Sequence, residues 1–264
     1  MTLASFFKIV AANFMAVITF ISSFIFPVQM PDYCMIGHRG YSGVYPDNTT
    51  VSFQKAAENG FGGAETDVQM TKDGVFVTSH DDVAIFEDGT ELVISENDYK
   101  TLTEKPLLNE DTDDVIFLCT FKRYLEIMRD NNMICFIELK GSYTDQMIHD
   151  VFTLADEVYS LSQCILQSFD FDNLVRAHEQ FPELRIMLTY GSSDTGYERC
   201  FDYGFSIDAN LNNMTKEVVD EFHERGLEVA VYTANDIFNL NYCKSLGVDY
   251  IESDYFGSAY PLKK

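Results

Sequence analysis

The stretches Met35-Ile36-Gly37-His38-Arg39-Gly40, Gly63-Ala64-Glu65-Thr66-Asp67 and Phe136-Ile137-Glu138-Leu139-Lys140 decide the fold. Each reads as a strand that starts apolar and finishes in groups able to do chemistry. Further strands are expected at 163–168, 185–190, 205–208, 228–233 and 249–252, which with 34–37, 63–67 and 134–139 makes eight. Helical patterns lie between most of them. Met147, Val151, Leu154 and Val158 share one helical stripe in 145–159, and Ile237, Leu240, Cys243 and Leu246 another in 236–246. Phe121, Tyr124, Leu125 and Met128 form a third. Asn48 or Thr49 can cap the first helix, and Gly60 can end it. Strands alternating with helices predict a parallel sheet with helices outside. Eight such units predict an α/β fold of the (β/α)8 TIM-barrel type.

The alternation breaks after Asp67. Residues 68–80 read as two extended pieces joined through Lys72-Asp73-Gly74, a hairpin signal. With Lys72 and Asp73 as the turn, the numbers of paired residues sum to about 145. His80 then lies opposite Glu65, and Thr78 opposite Asp67. A slip of one residue turns His80 to the other face. Residues 81–118 carry no strong periodicity and include the acidic run Glu110-Asp111-Thr112-Asp113-Asp114. They read as a short hairpin-and-loop excursion over the barrel mouth, with the acidic run a solvated loop.

At 264 residues, 46% hydrophobic and 23% charged, the chain is globular and long enough for one large domain. The net charge of −24 speaks against nucleic acid and anionic lipid head groups as partners. It also means that a pocket for an anion needs a local positive centre. The six cysteines contain no C-x-x-C pair and no zinc spacing. Cys34, Cys135 and Cys164 fall in predicted strands, where a free cysteine packs as a small hydrophobe.

From Ile9 to Phe26 the chain is apolar, interrupted mainly by Asn13 and preceded by Lys8. Spanning a bilayer takes roughly 20 such residues. Residues 1–30 are therefore expected to be a signal-anchor or signal peptide, touching the membrane through 9–26 and leaving the domain 31–264 outside the cytoplasm. Translation from Met30, or a helix packed on a cytoplasmic domain, are the alternatives.

Carboxylates two apart on a strand share a face, so Glu65 and Asp67 can grip one hard cation together. Glu138 and Lys140 are spaced the same way. Three carboxylates from two strands suit an octahedral oxygen site for one divalent cation, Mg²⁺ or Ca²⁺. In a barrel, catalytic groups sit at the C-terminal ends of strands, where all these residues fall. Such a site suits cleavage of a phosphate ester. The cation, Arg39 and Lys140 stabilise phosphoryl charge. His38 and His80 can serve as acid and base, because imidazole as a side-chain type changes charge near neutral pH, each role being worth roughly 10²–10⁴ in rate. A lone strand-end histidine is more often structural, but two flanking a carboxylate pair in sequence shift that balance. His149, His178 and His223 fall in predicted helices and read as surface or packing residues.

Taken together, His38-Arg39-Gly40, Pro46-Asp47-Asn48-Thr49, Glu65-Thr66-Asp67, Asp73-Gly74 and His80-Asp81 resemble the opening signature of the glycerophosphodiester phosphodiesterase family. Ile137-Glu138-Leu139-Lys140, Gln167-Ser168-Phe169 and Gly247-Val248-Asp249-Tyr250-Ile251 resemble its later blocks. The resemblance implies a barrel and divalent-metal dependence. It also implies cleavage of glycerophosphodiesters to sn-glycerol 3-phosphate and an alcohol. By matching positions, Glu65, Asp67 and Glu138 would hold the metal, His38 and His80 would form the acid/base pair, and Arg39 and Lys140 would hold the phosphate. The chain departs from the family pattern at Asp47, where Glu is usual, and at Tyr232-Thr233, where Trp-Thr is common. Glu252-Ser253-Asp254-Tyr255 also differs from the usual ending. Two rival functions are a lysophospholipase D-type activity on monoacyl phospholipids and a catalytically silent barrel that only binds.

Overall fold

The computed structural model describes residues 33–257; the apolar stretch 9–26 and the segment 1–30 lie outside the described residues. The strands are β1 (Cys34–Gly37), β2 (Gly63–Met70), β3 (Phe76–Thr78), β4 (Val83–Ile85), β5 (Glu91–Val93) and β6 (Ile134–Leu139). They continue with β7 (Cys164–Ser168), β8 (Arg185–Tyr190), β9 (Ser206–Asn210), β10 (Val229–Tyr232) and β11 (Tyr250–Ser253). The helices are α1 (Thr50–Glu58), α2 (Tyr99–Leu102), α3 (Phe121–Asp130), α4 (Asp145–Val158), α5 (Phe171–Gln180), α6 (Arg199–Tyr203), α7 (Lys216–His223) and α8 (Ile237–Leu246). Among the described residues no helix is long and apolar enough to cross a membrane.

Strands β1, β2 and β6 to β11 run parallel and close into a barrel, because β1 pairs with both β11 and β2. This is the predicted TIM barrel. The β1–β2 ladder has only two register pairs, Ile36 with Gly63 and Gly37 with Ala64. A side chain at Gly63 would put its Cβ 2.7 Å from the Ile134 carbonyl oxygen and 2.7 Å from Ile36 Cδ1. Only glycine fits there.

The two-residue period of the strands divides the barrel interior into layers. Ile36, Phe136, Ile165, Met187, Ala230 and Tyr250 meet as an apolar plug inside it. Two residues further along the same strands stand His38, Glu138, Gln167, Thr189, Tyr232 and Glu252, which all line one cavity. The plug is the floor and the polar layer the working surface. A second, larger core packs the helices on the outside of the sheet. Helix α1 starts as expected at Thr49, whose hydroxyl accepts from the Ser52 amide in a reciprocal capping box.

The hairpin after β2 forms, but with a different register. Val68 pairs with Thr78, Gln69 with Val77 and Met70 with Phe76. Thr78 is thus not opposite Asp67, and His80 is not paired with Glu65. The reason is the turn: Gly74 takes a left-handed φ of 83°, the Gly74 amide donates to the Thr71 carbonyl, and the Thr71 amide donates to the Val75 carbonyl. The loop therefore holds three residues, Lys72 to Gly74, rather than two. The ladder ends at Thr78, and the Gln69 side chain then donates to the carbonyls of Ser79 and Asp81. This bend returns His80 to the cavity in spite of the shifted register.

Residues 81–118 are more ordered than their sequence suggests. β4 and β5 pair antiparallel, and Phe86 and Ile116 each bridge to Leu107. Val77, Ala84, Phe86, Ile94, Leu102 and Leu118 bury one another in a third small core. The acidic residues Glu110, Asp111, Asp113 and Asp114 are exposed, as expected. All six cysteines are free.

Candidate active site

The polar layer encloses a cavity of ≈ 200 Å³ that brings together all seven expected residues: His38, Arg39, Glu65, Asp67, His80, Glu138 and Lys140. Glu65 and Asp67 come from consecutive inward positions of β2, Glu138 from β6 beside it. Asp67 and Glu138 are register partners.

The carboxylates are clustered and almost dry, Glu65 being 3% and Asp67 2% exposed. Donor atoms of Glu65, Asp67 and Glu138 all lie within 4.8 Å of one another. Oxygens bound at about 2.0–2.6 Å to one hard cation stand at such mutual distances. Burial, then repulsion from Asp67, Glu252 and Glu138, pushes the Glu65 carboxyl well above its ordinary range. Burial and Asp67 likewise raise Glu138 to about 7, despite the nearby Lys140 ammonium. Acids held this close without enough positive charge form a donor set that a divalent cation fits.

Specific contacts hold the cluster. The Arg39 amide, in a left-handed turn at φ 56°, donates to Glu65 Oε2 at 2.8 Å. Asn48, 3% exposed, donates through Nδ2 to Asp67 Oδ2 at 2.8 Å and accepts from the Thr66 hydroxyl. The Arg39 guanidinium donates to Asp47 Oδ2 at 3.1 Å, so the shorter acid at this position keeps its contact. Arg39 Nε stands 3.6 Å from Asp67 Oδ2 and has no hydrogen-bond partner. Lys140 Nζ stands 3.3 Å from Glu138 and 3.6 Å from Asp67. Both cations face the cavity, placed for an anion.

Each histidine has a carboxylate behind it. His38 Nδ1 lies 2.7 Å from Asp254 Oδ1, and His80 Nδ1 lies 2.8 Å from Asp81 Oδ1. A carboxylate at Nδ1 accepts a hydrogen bond from Nδ1–H, which keeps the proton on that nitrogen and leaves Nε2 for chemistry. Asp254 is itself held by the Ser42 hydroxyl and the Asn235 amide. Burial alone would raise its carboxyl, but the hydrogen bonds from His38, Asn235 and Ser42 bring it below the ordinary range.

Several residues of the site were not read from the sequence. Asn48 looked like a helix cap. Gln167, Glu252 and Asp254 appeared only in blocks of resemblance or departure, and Asp208 not at all. The available signal was positional: Gln167 and Glu252 stand next to last in their strands after apolar residues, and Asp208 is an acid in the middle of β9. His149, His178 and His223 sit on helices, as expected.

Residues 38–258 match the Glycerophosphoryl diester phosphodiesterase family. The chain belongs to that family. It is 24% identical to a glycerophosphodiester phosphodiesterase of Bacillus altitudinis over 87% of this chain and 98% of that protein. The family's solved structures share the barrel. A glycerophosphodiester phosphodiesterase of Thermotoga maritima superposes with a TM-score of 0.68 at 27% identity, covering 84% of this chain and 94% of that one. A phosphodiesterase of Oleispira antarctica, solved in complex with the product sn-glycerol-3-phosphate, superposes with a TM-score of 0.74 at 21% identity, covering 84% and 93%. By family and relatives, this chain is a glycerophosphodiester phosphodiesterase.

Proposed function

We propose that the chain hydrolyses glycerophosphodiesters to sn-glycerol 3-phosphate and an alcohol, with Glu65, Asp67 and Glu138 holding one divalent cation, Mg²⁺ or Ca²⁺. Bound there, the cation would supply Lewis-acid stabilisation of phosphoryl charge. Arg39 and Lys140 bind and orient the phosphate by charge-assisted hydrogen bonds. One imidazole accepts at Nε2 a proton of the attacking water as its oxygen bonds to phosphorus, and the other delivers a proton from Nε2 to the alkoxide as its bond to phosphorus breaks, so one water is consumed and the proton count balances. Asp254 and Asp81 keep the two rings in the tautomer this requires. The carrying observation is that two carboxylate-backed histidines share one small cavity with a three-carboxylate group and two cationic side chains. The test is chelation and add-back on glycerophosphocholine and glycerophosphoethanolamine, reading released glycerol 3-phosphate. Full turnover after exhaustive chelation would sink the metal reading.

A specific observation favours monoacyl phospholipids as a second substrate class. A groove of ≈ 230 Å³ shares His80 with the active-site cavity and is walled by Ile85, Leu107, Leu108, Ile116 and Leu118. Ile85 and Leu108 are 43% and 46% exposed. Such a wall suits an acyl chain better than water. Ile85→Ser and Leu108→Ser should then lower choline release from lysophosphatidylcholine severalfold and leave glycerophosphocholine turnover unchanged. Equal effects on both substrates would dismiss the acyl reading. The membrane-proximal location expected from residues 9–26 accords with it and remains part of the proposal.

A further inference from the structure

One wall of the cavity takes no part in the reaction described above. It is built from β7, β8, β9 and β11, and its acids are Asp208 and Glu252, each 2% exposed. The Gln167 amide nitrogen donates to both, at 2.6 Å to Asp208 Oδ2 and 3.1 Å to Glu252 Oε1. Three oxygens around them are buried and have no hydrogen-bond partner: Asp208 Oδ1, Gln167 Oε1 and Thr189 Oγ1. Gln167 is 1% and Thr189 2% exposed, and both line the cavity. Thr189 is the register partner of Asp208, so the two side chains stand on the same inward face.

Charge points the same way. Five carboxylates line this cavity against two cationic side chains, Arg39 and Lys140. One divalent ion leaves the lining net negative, a poor setting for a phosphodiester anion. A second reverses the sign and lets the substrate neutralise it.

We infer that a second divalent cation binds on this wall, held by Asp208 and Glu252 with the Gln167 and Thr189 oxygens. Half a turn of the Gln167 amide puts Oε1 where its NH₂ group now meets both carboxylates, which completes an all-oxygen donor set for a hard ion. Glu65 links the two ions, since it belongs both to the group with Asp67 and Glu138 and to a second group with His38 and Glu252, each within 4.8 Å. His38 keeps its acid/base role. The inference rests on the metal reading of the first group.

The competing way to settle two buried acids is with protons, and metal counting separates the two. The full chain is freed of metal by chelation and dialysed against Mn²⁺ at neutral pH. Bound metal is counted by mass spectrometry, and the Mn²⁺ resonance is recorded. The expected result is two Mn²⁺ per chain with a spin-coupled signal. Asp208→Asn and Glu252→Gln should each leave one Mn²⁺ with an uncoupled signal, and Thr189→Val should weaken the second binding step about tenfold or more. A single Mn²⁺ in the unaltered chain, undisturbed by Asp208→Asn, would overturn the second site and leave the first standing. No bound Mn²⁺ at all would overturn the metal reading of the first site as well. Circular dichroism confirms folding of each variant. Should Glu252→Gln fail to fold, Asp208→Asn and Thr189→Val decide the matter alone.

Discussion

Asp254 Oδ1 lies 2.7 Å from His38 Nδ1, tying the end of the last barrel strand to the end of the first. The pair fixes which ring nitrogen carries a proton. Asp254→Asn keeps the shape and removes the charge, so the ring loses its tautomer and the imidazolium its counter-charge. The expected loss in kcat is about 10²- to 10⁴-fold with little change in KM. The pH–rate profile of the variant should differ in shape from that of the unaltered chain. A change confined to KM would assign Asp254 to substrate binding instead.

His38→Ala and His80→Ala should each cost about 10²- to 10⁴-fold in kcat, because each removes one proton-transfer step. The double variant should lose less than the product of the two, as residues acting in one reaction are not additive. Steady-state kinetics on glycerophosphocholine gives all three numbers. Full additivity would indicate that the two rings do not serve one reaction.

Glu65→Gln, Asp67→Asn and Glu138→Gln should abolish cation-stimulated turnover and leave the fold intact. Titration calorimetry should show the cation affinity falling at least tenfold in each variant. Unchanged affinity in any one of them would remove that residue from the ligand set.

The buried acids also set how stability of the metal-free chain depends on pH. Glu138 is raised from 4.5 to about 7, and Glu65, Asp208 and Glu252 move in the same direction. Between the unfolded and folded values the native state keeps protons that the unfolded chain has released. Stability is therefore full below about pH 4.5 as far as Glu138 is concerned and falls as pH rises through about 7. Added Mg²⁺ or Ca²⁺ should reverse the fall and stabilise more at alkaline than at acid pH. Each kcal/mol corresponds to about 2–4 °C of Tm at this size, so scanning calorimetry across pH resolves the effect. A metal-free Tm that rises from pH 5 to 8 would contradict it.

The barrel, and the gathering of His38, Arg39, Glu65, Asp67, Glu138 and Lys140 around one cavity, were legible because these residues fall at or just past strand ends, whereas His80 reaches the cavity by a hairpin whose expected register did not form. His38, Glu65, Asp67 and Glu138 each follow an apolar residue two positions earlier or stand two apart, and the pleat does the rest. The hairpin register was not legible. Asp73-Gly74 signals a turn, but the same dipeptide serves two-residue and three-residue loops, and the closing bond from the Thr71 amide to the Val75 carbonyl decides for three. The small core of residues 81–118 was invisible for another reason. Phe86, Ile94, Leu102 and Leu118 come singly from very short elements, so no period connects them. Asp208 and Glu252 escaped because buried acids without a nearby base look, in sequence, like any exposed ones.

The narrow closure between β1 and β2 has a mechanical meaning. Six register pairs bind β2 to β6, but only two bind it to β1, and the Arg39-to-Glu65 bond lies just beyond them. Among the barrel edges only β10 to β11 is as narrow, so this is one of the two weakest seams in the wall. An ion gripped by Glu65 bears directly on one lip of that seam, so loading the site should also rivet the wall shut. Amide exchange slowed at Ala64 and Arg39 on adding the ion would reveal a cofactor that fastens the barrel as well as serving its reaction.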